Sequence, residues 1–276
     1  MKYTESWVMT MSDFKDVFES IVNSVPDRSN SSDYMQDGIL YCGSCGTPKQ
    51  TIVGDETERY ICPIMCRCEK EKYEKEKHDR EVKELRDFCF RWFPELKECT
   101  FDKDTEKGQA SDVCKRYVDI FDESEGLLLY GDVGTGKTFY AACICNALVE
   151  KGKAVSFVSL EKLINMSQTE RNYISNGLAT CDAVVLDDLG VERDTTFGAE
   201  VVYSVVNRLY ASPAKMIITT NLSMDDLSKC QDLSKQRIYD RILQRCYPVK
   251  IDGESKRLKK GRENIRKMRK LLEDKQ

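Results

Sequence analysis

The chain has 276 residues, 33% of them charged, with 43 Lys and Arg against 47 Asp and Glu and a formal net charge of −4. That length suits one large domain plus a small one, and the near-balanced charge excludes a globally basic nucleic-acid binder. No basic start leads into an apolar h-region and no apolar run approaches the roughly 18 residues of a membrane span, so a soluble, cytoplasmic protein with no membrane partner is expected.

Near the N-terminus, Phe14, Val17, Phe18, Ile21 and Val22 recur at helical spacing behind Ser12, a candidate cap, which predicts an amphipathic helix over Met11–Val22. A polar breaker, Pro26–Asp33, follows. Five of the 13 cysteines then cluster between Cys42 and Cys68. Without an export signal a disulfide framework is not expected. Cys42-Gly-Ser-Cys45-Gly is a knuckle in which two thiolates converge and glycine permits the tight turn. Cys66 and Cys68 supply two further ligands, with Cys62 as an alternative, so a structural Zn²⁺ site is expected at about residues 38–70. A redox dithiol is disfavoured because no thioredoxin-like βαβ pattern surrounds it. The other eight cysteines read as small apolar core residues.

Glu69–Arg91 is dense in charges of both signs with i,i+4 pairings, which predicts a long exposed helix acting as a linker. His78, the only histidine, lies there, and no histidine-dependent triad can be assembled. The aromatic run Phe90–Pro94 ends this stretch and places a domain boundary near residue 95. Ser111–Phe121 reads as a helix capped by Ser111.

Gly126–Tyr130 is a short apolar strand, and Thr138–Lys151 a helix stopped by Gly152. Between them Gly131-Asp132-Val133-Gly134-Thr135-Gly136-Lys137-Thr138 fits the phosphate-binding loop. Glycines allow backbone N–H groups to turn inward around phosphates at a helix N-terminus. Lys137 is expected to reach the β- and γ-phosphates of ATP, and the Thr138 hydroxyl to ligate Mg²⁺.

A strand is expected at Ala154–Leu160, then a helix over Glu161–Ser175. The apolar run from Cys181 ends in Asp187 and Asp188, the form of a Walker B strand. Asp187 would hold Mg²⁺, and Asp188 stands where a general base polarises water. Phe197–Tyr210 reads as a helix, and Lys215–Asn221 as a strand that brings Asn221 near the γ-phosphate. In the helix over Asp232–Gln244, Arg237 and Arg241 lie one turn apart, as surface charges or as arginines reaching a neighbouring subunit's γ-phosphate. A last strand, Tyr247–Ile251, precedes a basic tail. Such a tail either contacts phosphate backbone or only solubilises the chain. The alternation predicts an α/β fold, a parallel sheet covered by helices on both faces, with ligands at the strands' carboxyl ends.

Taken together, the chain resembles the AAA+ P-loop ATPases, and among them the DnaC/DnaI-like replicative helicase loaders. GDVGTGKT (Gly131–Thr138), VVLDDLG (Val184–Gly190), IITTN (Ile217–Asn221), RIYDRI (Arg237–Ile242) and GESKR (Gly253–Arg257) carry the resemblance. It implies Walker A, Walker B, sensor 1, an arginine-finger region with Arg237 acting in trans beside Arg241, and sensor 2 with Arg257 on its own subunit's nucleotide. It further implies an N-terminal region, 1–95, that grips a DnaB-like hexameric helicase, and an ATPase domain, 96–276, that self-associates and binds single-stranded DNA. Asp188 stands where many AAA+ proteins carry Glu, which implies slow, assembly-dependent hydrolysis. IstB-type transposition helper ATPases share the core motifs but are expected to lack the zinc knuckle. A zinc-bearing DNA-binding adaptor with weak ATPase and a small-molecule P-loop kinase are the other readings. The paired acids with Asn221 suit water better than a metabolite as phosphoryl acceptor.

Overall fold

The computed structural model describes residues 30–54, 59–104, 108–190 and 196–273. The helix expected over Met11–Val22, with its cap Ser12, lies outside the described residues. The chain divides into two compact units, Met1–Arg80 and Glu81–Gln276.

The first unit holds two antiparallel hairpins, β1 (Tyr34–Gln36) with β2 (Ile39–Tyr41) and β3 (Gln50–Gly54) with β4 (Arg59–Pro63). Asp37 and Gly38 turn the first hairpin with φ of 50° and 77°, the left-handed pair that matches strand twist. Helix α1 (Arg67–Cys89) follows, close to the expected charged helix, and the unit division falls within it.

The division lies between Arg80 and Glu81, upstream of the residue 95 at which the sequence places a boundary. Val82, Cys89 and Phe90 are buried in the core of the second unit, and Phe90 and Phe93 set their rings 6.0 and 5.6 Å from that of Phe157. The aromatic run is therefore packing, not a linker.

The second unit is built on one five-stranded sheet, every pairing parallel, in the order β6 (Val155–Ser159), β7 (Ala183–Leu189), β8 (Lys215–Thr220), β5 (Gly126–Tyr130), β9 (Cys246–Lys250). Alternation sorts its side chains between two cores. Leu127, Leu129, Ala183, Val185 and Ile217 join the cluster under α2 (Gln109–Asp119) and α3 (Lys137–Glu150). Leu128, Val184, Leu186, Met216 and Ile218 join the opposite cluster. Helices α4 (Leu160–Asn165), α5 (Gln168–Leu178), α6 (Thr196–Tyr210) and α8 (Leu233–Arg245) cover that face, and α7 (Met224–Ser228) is a short turn before α8. The parallel sheet covered on both faces is thus as expected.

Two local expectations are corrected. Ser111 does not cap α2, which starts at Gln109 behind Gly108, and its side chain is buried inside the helix. The helix expected over Glu161–Ser175 is two helices, because Ser167 and Glu170 form a reciprocal capping box that starts α5 afresh. The chain's last described helix, α9 (Lys256–Glu273), carries nine basic and two acidic residues and buries none of them. Among the described residues no helix is long and apolar enough to cross a membrane.

Candidate nucleotide and metal sites

The loop between β5 and α3 has the geometry that a phosphate cradle requires. Gly131, Gly134 and Gly136 have φ of 144°, 84° and 104°, all in the region that favours glycine. A Cβ on Gly131 would stand 2.4 Å from the Ile251 carbonyl oxygen, and one on Gly134 2.2 Å from Ser255 Oγ, so the loop is also clamped by the segment after β9. Helix α3 starts at Gly136 with no side-chain cap, and its first N–H groups remain for an anion. The Lys137 ammonium folds back onto the carbonyls of Gly131 (2.8 Å) and Asp132 (2.6 Å), and Thr135 Oγ1 donates to the Asp132 carbonyl. Burial lowers the Lys137 pKa.

At the neighbouring strand end, Asp187 accepts from Thr138 Oγ1 at 3.1 Å and from Thr219 Oγ1 at 2.6 Å. Burial raises Asp187 to about 6 against the opposing pull of these hydroxyls. A hydroxyl and a carboxylate meeting beside the phosphate loop are hard oxygen donors, the set that suits Mg²⁺. Asp188 has φ of 62°. It lines a cleft of roughly 460 Å³ together with Gly134, Gly136, Lys137, Thr138, Asn221 and Arg257. Residues expected from four separate motifs therefore converge at the carboxyl ends of β5, β7 and β8.

Several lining residues carry no signal in the sequence. Leu96, Cys99 and Phe139 are such residues, and Lys256 of the GESKR run completes the cleft with them. The Leu96 and Cys99 carbonyls are fixed by the buried Asn146 amide at 3.0 and 2.8 Å. Lys256, the first residue of α9, donates its backbone N–H to the Gly134 carbonyl at 2.9 Å. Its ammonium lies over the Phe139 and Tyr140 rings, 3.9 Å from the buried Asp104, which accepts from Tyr140.

Arg237 and Arg241 lie outside this cleft. Arg241 is half-buried over the Tyr203 and Tyr210 rings, and its guanidinium donates to the Arg237 carbonyl and the Tyr203 hydroxyl. The Arg237 side chain is exposed.

In the first unit Cys42, Cys45, Cys66 and Cys68 bring their sulfurs within 4.8 Å of one another. Cys42–Cys68 and Cys66–Cys68 sulfurs are 3.6 and 3.3 Å apart. A tetrahedron of thiolates at Zn–S about 2.3 Å has edges of about 3.8 Å, so the donors fit zinc. Cys62 is not among them: it sits in β4 opposite Thr51. Hydrogen bonds, first that from Thr47, pull the Cys45 thiol down to about 5, while burial pushes Cys66 up to about 12. Beside the cluster the buried Lys49 pairs with Asp33 at 2.9 Å and Glu69 at 3.3 Å. Glu69 and Asp33 in turn accept the N–H groups of Cys66 and Gly43.

The model of the IstB-like ATP binding protein family matches residues 67–264. Over 146 residues the chain is 30% identical to the replicative helicase loader DnaC of Escherichia coli (strain K12), covering 49% of this chain and 58% of that protein. It is 28% identical over 151 residues to the replicative helicase loader DnaI of Bacillus subtilis (strain 168), covering 49% and 48%. The chain thus spans about half the length of the curated relatives it matches. A crystal structure of DnaI superposes with a TM-score of 0.50 at 23% identity, covering 58% of this chain and 92% of that one, a likeness of fold.

Proposed function

This chain belongs to the IstB-like ATP-binding protein family, and we propose that it is an AAA+ ATPase that loads a DnaB-like hexameric replicative helicase onto single-stranded DNA in the cytoplasm. The observation that carries the reading is the cleft that joins Gly134, Gly136, Lys137 and Thr138 of the phosphate loop to Asp188, Asn221 and Arg257, while Arg237 is exposed outside it. The loop and Lys137 bind the phosphates, and Thr138 and Asp187 hold Mg²⁺. When bound, Mg²⁺ neutralises phosphate charge. Water held by Asn221 attacks the γ-phosphorus and gives its proton to Asp188. The bond to the β–γ bridging oxygen breaks, releasing ADP and phosphate. Arg237 of a second copy completes the site, so hydrolysis is slow in a lone chain and rises on assembly.

Within this reading the N-terminal region, residues 1–95, grips the helicase, and Zn²⁺ on Cys42, Cys45, Cys66 and Cys68 is structural. The converging thiols favour the loader over an IstB-type transposition helper, and the same relatives outweigh the adaptor and kinase readings. The test is ATP-dependent transfer of a DnaB-like hexameric helicase onto circular single-stranded DNA, with ATP turnover followed alongside. We expect a stable complex with the helicase and turnover that rises with chain concentration and DNA. Phosphorylation of a metabolite, or a complex with a transposase and none with the helicase, would overturn it.

A further inference from the structure

The β7–β8 ladder is regular to Leu186↔Ile218 and resumes at Leu189↔Thr220. Asp187 and Asp188 together therefore stand opposite the single residue Thr219, a β-bulge. The extra residue explains how Leu186 and Leu189, three apart, both enter the same core cluster, which strict alternation forbids. It also places Asp188 at φ 62°, in the left-handed region that a non-glycine residue occupies at a cost and keeps only where its surroundings hold it.

What holds it is a side chain of the next strand. Thr219 is fully buried. Its hydroxyl accepts the backbone N–H of Asp188 at 2.9 Å and donates to Asp187 Oδ1 at 2.6 Å. One hydroxyl thus fixes the backbone of one acid and the carboxylate of the other. Thr220 repeats the device one residue on, donating to the Leu189 carbonyl at 2.7 Å and accepting from Leu222 N–H at 3.1 Å. Asn221 follows directly, so the strand that ends at the cleft is laced to β7 through two hydroxyls, that of Thr219 on the two acids and that of Thr220 on Leu189.

We propose that Thr219 is a positioning residue of the nucleotide site: through its hydroxyl it holds the bulge that aims Asp188 into the cleft and orients Asp187 toward Thr138. The proposal rests on the reading of this cleft as an ATP·Mg²⁺ site. It predicts that the hydroxyl, and not the volume, of residue 219 matters. Thr219→Val keeps the volume and leaves the Asp188 N–H and the Asp187 carboxylate each short of a partner. Thr219→Ser keeps the hydroxyl.

The test compares both variants in the full chain, with Thr219→Ala as a second hydroxyl-free variant in case the valine fails to fold. A fluorescent ATP analogue is titrated with and without Mg²⁺, and turnover is measured at saturating ATP. Thr219→Val should bind the analogue normally without metal, need about tenfold more Mg²⁺ for its metal-dependent binding, and lose roughly 10–100-fold in kcat with KM little changed. Thr219→Ser should restore both within a few-fold. In an Asp188→Asn background the valine should cost little further turnover, because both act through one group. Wild-type Mg²⁺ dependence and turnover in Thr219→Val, or equal loss in Thr219→Ser, would overturn the proposal. A wild-type chain that binds ATP·Mg²⁺ without hydrolysis sinks the ATPase reading instead, and the Mg²⁺ titration still decides Thr219.

Discussion

Two arginines one helical turn apart meet different surroundings. The Arg241 guanidinium lies 5.1 Å from the Tyr203 ring centre and 5.7 Å from that of Tyr210, with two hydrogen bonds within its own chain. That arrangement holds α8 against α6. Arg237 is exposed on the same helix. A finger that enters a neighbour's site must be free to extend, and Arg237 meets that requirement where Arg241 does not. Arg237→Ala should leave ATP affinity unchanged and abolish the rise of turnover with chain concentration, a loss on the order of 10³-fold where the finger is fully engaged. Arg241→Ala should instead lower unfolding stability by about 1–2 kcal/mol through lost cation–π contact and packing. ATPase assays over a concentration series, with denaturant melts, check both; equal effects of the two substitutions would refute the distinction. The i,i+4 spacing shows the pair in the sequence, yet it cannot separate them, because the deciding partner Tyr203 is 38 positions away.

At the scale of elements, local signals did most where chemistry demands a fixed order. The strand, glycine loop and helix around Lys137 and the apolar strand ending in Asp187 and Asp188 are present as read. The split of α4 from α5 was missed, although Ser167-Gln-Thr-Glu170 has the form of a capping box in the sequence. The cleft wall made by Leu96, Cys99 and Phe139 was not legible, because only the tertiary path through Asn146 brings those residues there. Helix α9 has its first residue bonded to the phosphate loop and its remaining cations on an exposed surface, so DNA held along it would lie close to the nucleotide. If it tracks a single strand's phosphates, each neutralised phosphate contributes about 0.7 to the slope of log affinity against log salt. Replacing Lys259, Lys267 and Lys270 with alanine should lower that slope by about 2 and weaken binding alike for all sequences. Lys256 and Arg257 stay intact, so ATP binding should not change. An unaltered slope would leave α9 as a solubilising helix.

At the scale of the molecule, each of the two units is stabilised internally by its own means. The second has two apolar clusters, one on each face of its sheet. Among the described residues of the first, those buried as whole residues are Cys42, Lys49 and Cys66. Hairpins this short cannot bury enough apolar surface to outweigh chain entropy, and under the proposed reading a metal on the four thiols would supply what a core supplies elsewhere. Cysteine spacing made the cluster visible in the sequence, and the pairing of Cys62 with Thr51 across a hairpin settled which thiols belong to it. The consequence is selective. A strong chelator at neutral pH should release about one zinc per chain and unfold the first unit, with loss of near-native hairpin signals by circular dichroism or hydrogen exchange. The second unit should keep its melting transition and its ATP affinity, since none of its core rests on the metal. Cys42→Ser should reproduce the chelated state, whereas Cys62→Ser should retain the zinc. Binding of the helicase should disappear with the metal while ATP binding persists. A chain that contains no zinc, or whose hairpins survive both the chelator and Cys42→Ser, would show that the four thiols hold the fold as packed cysteines alone.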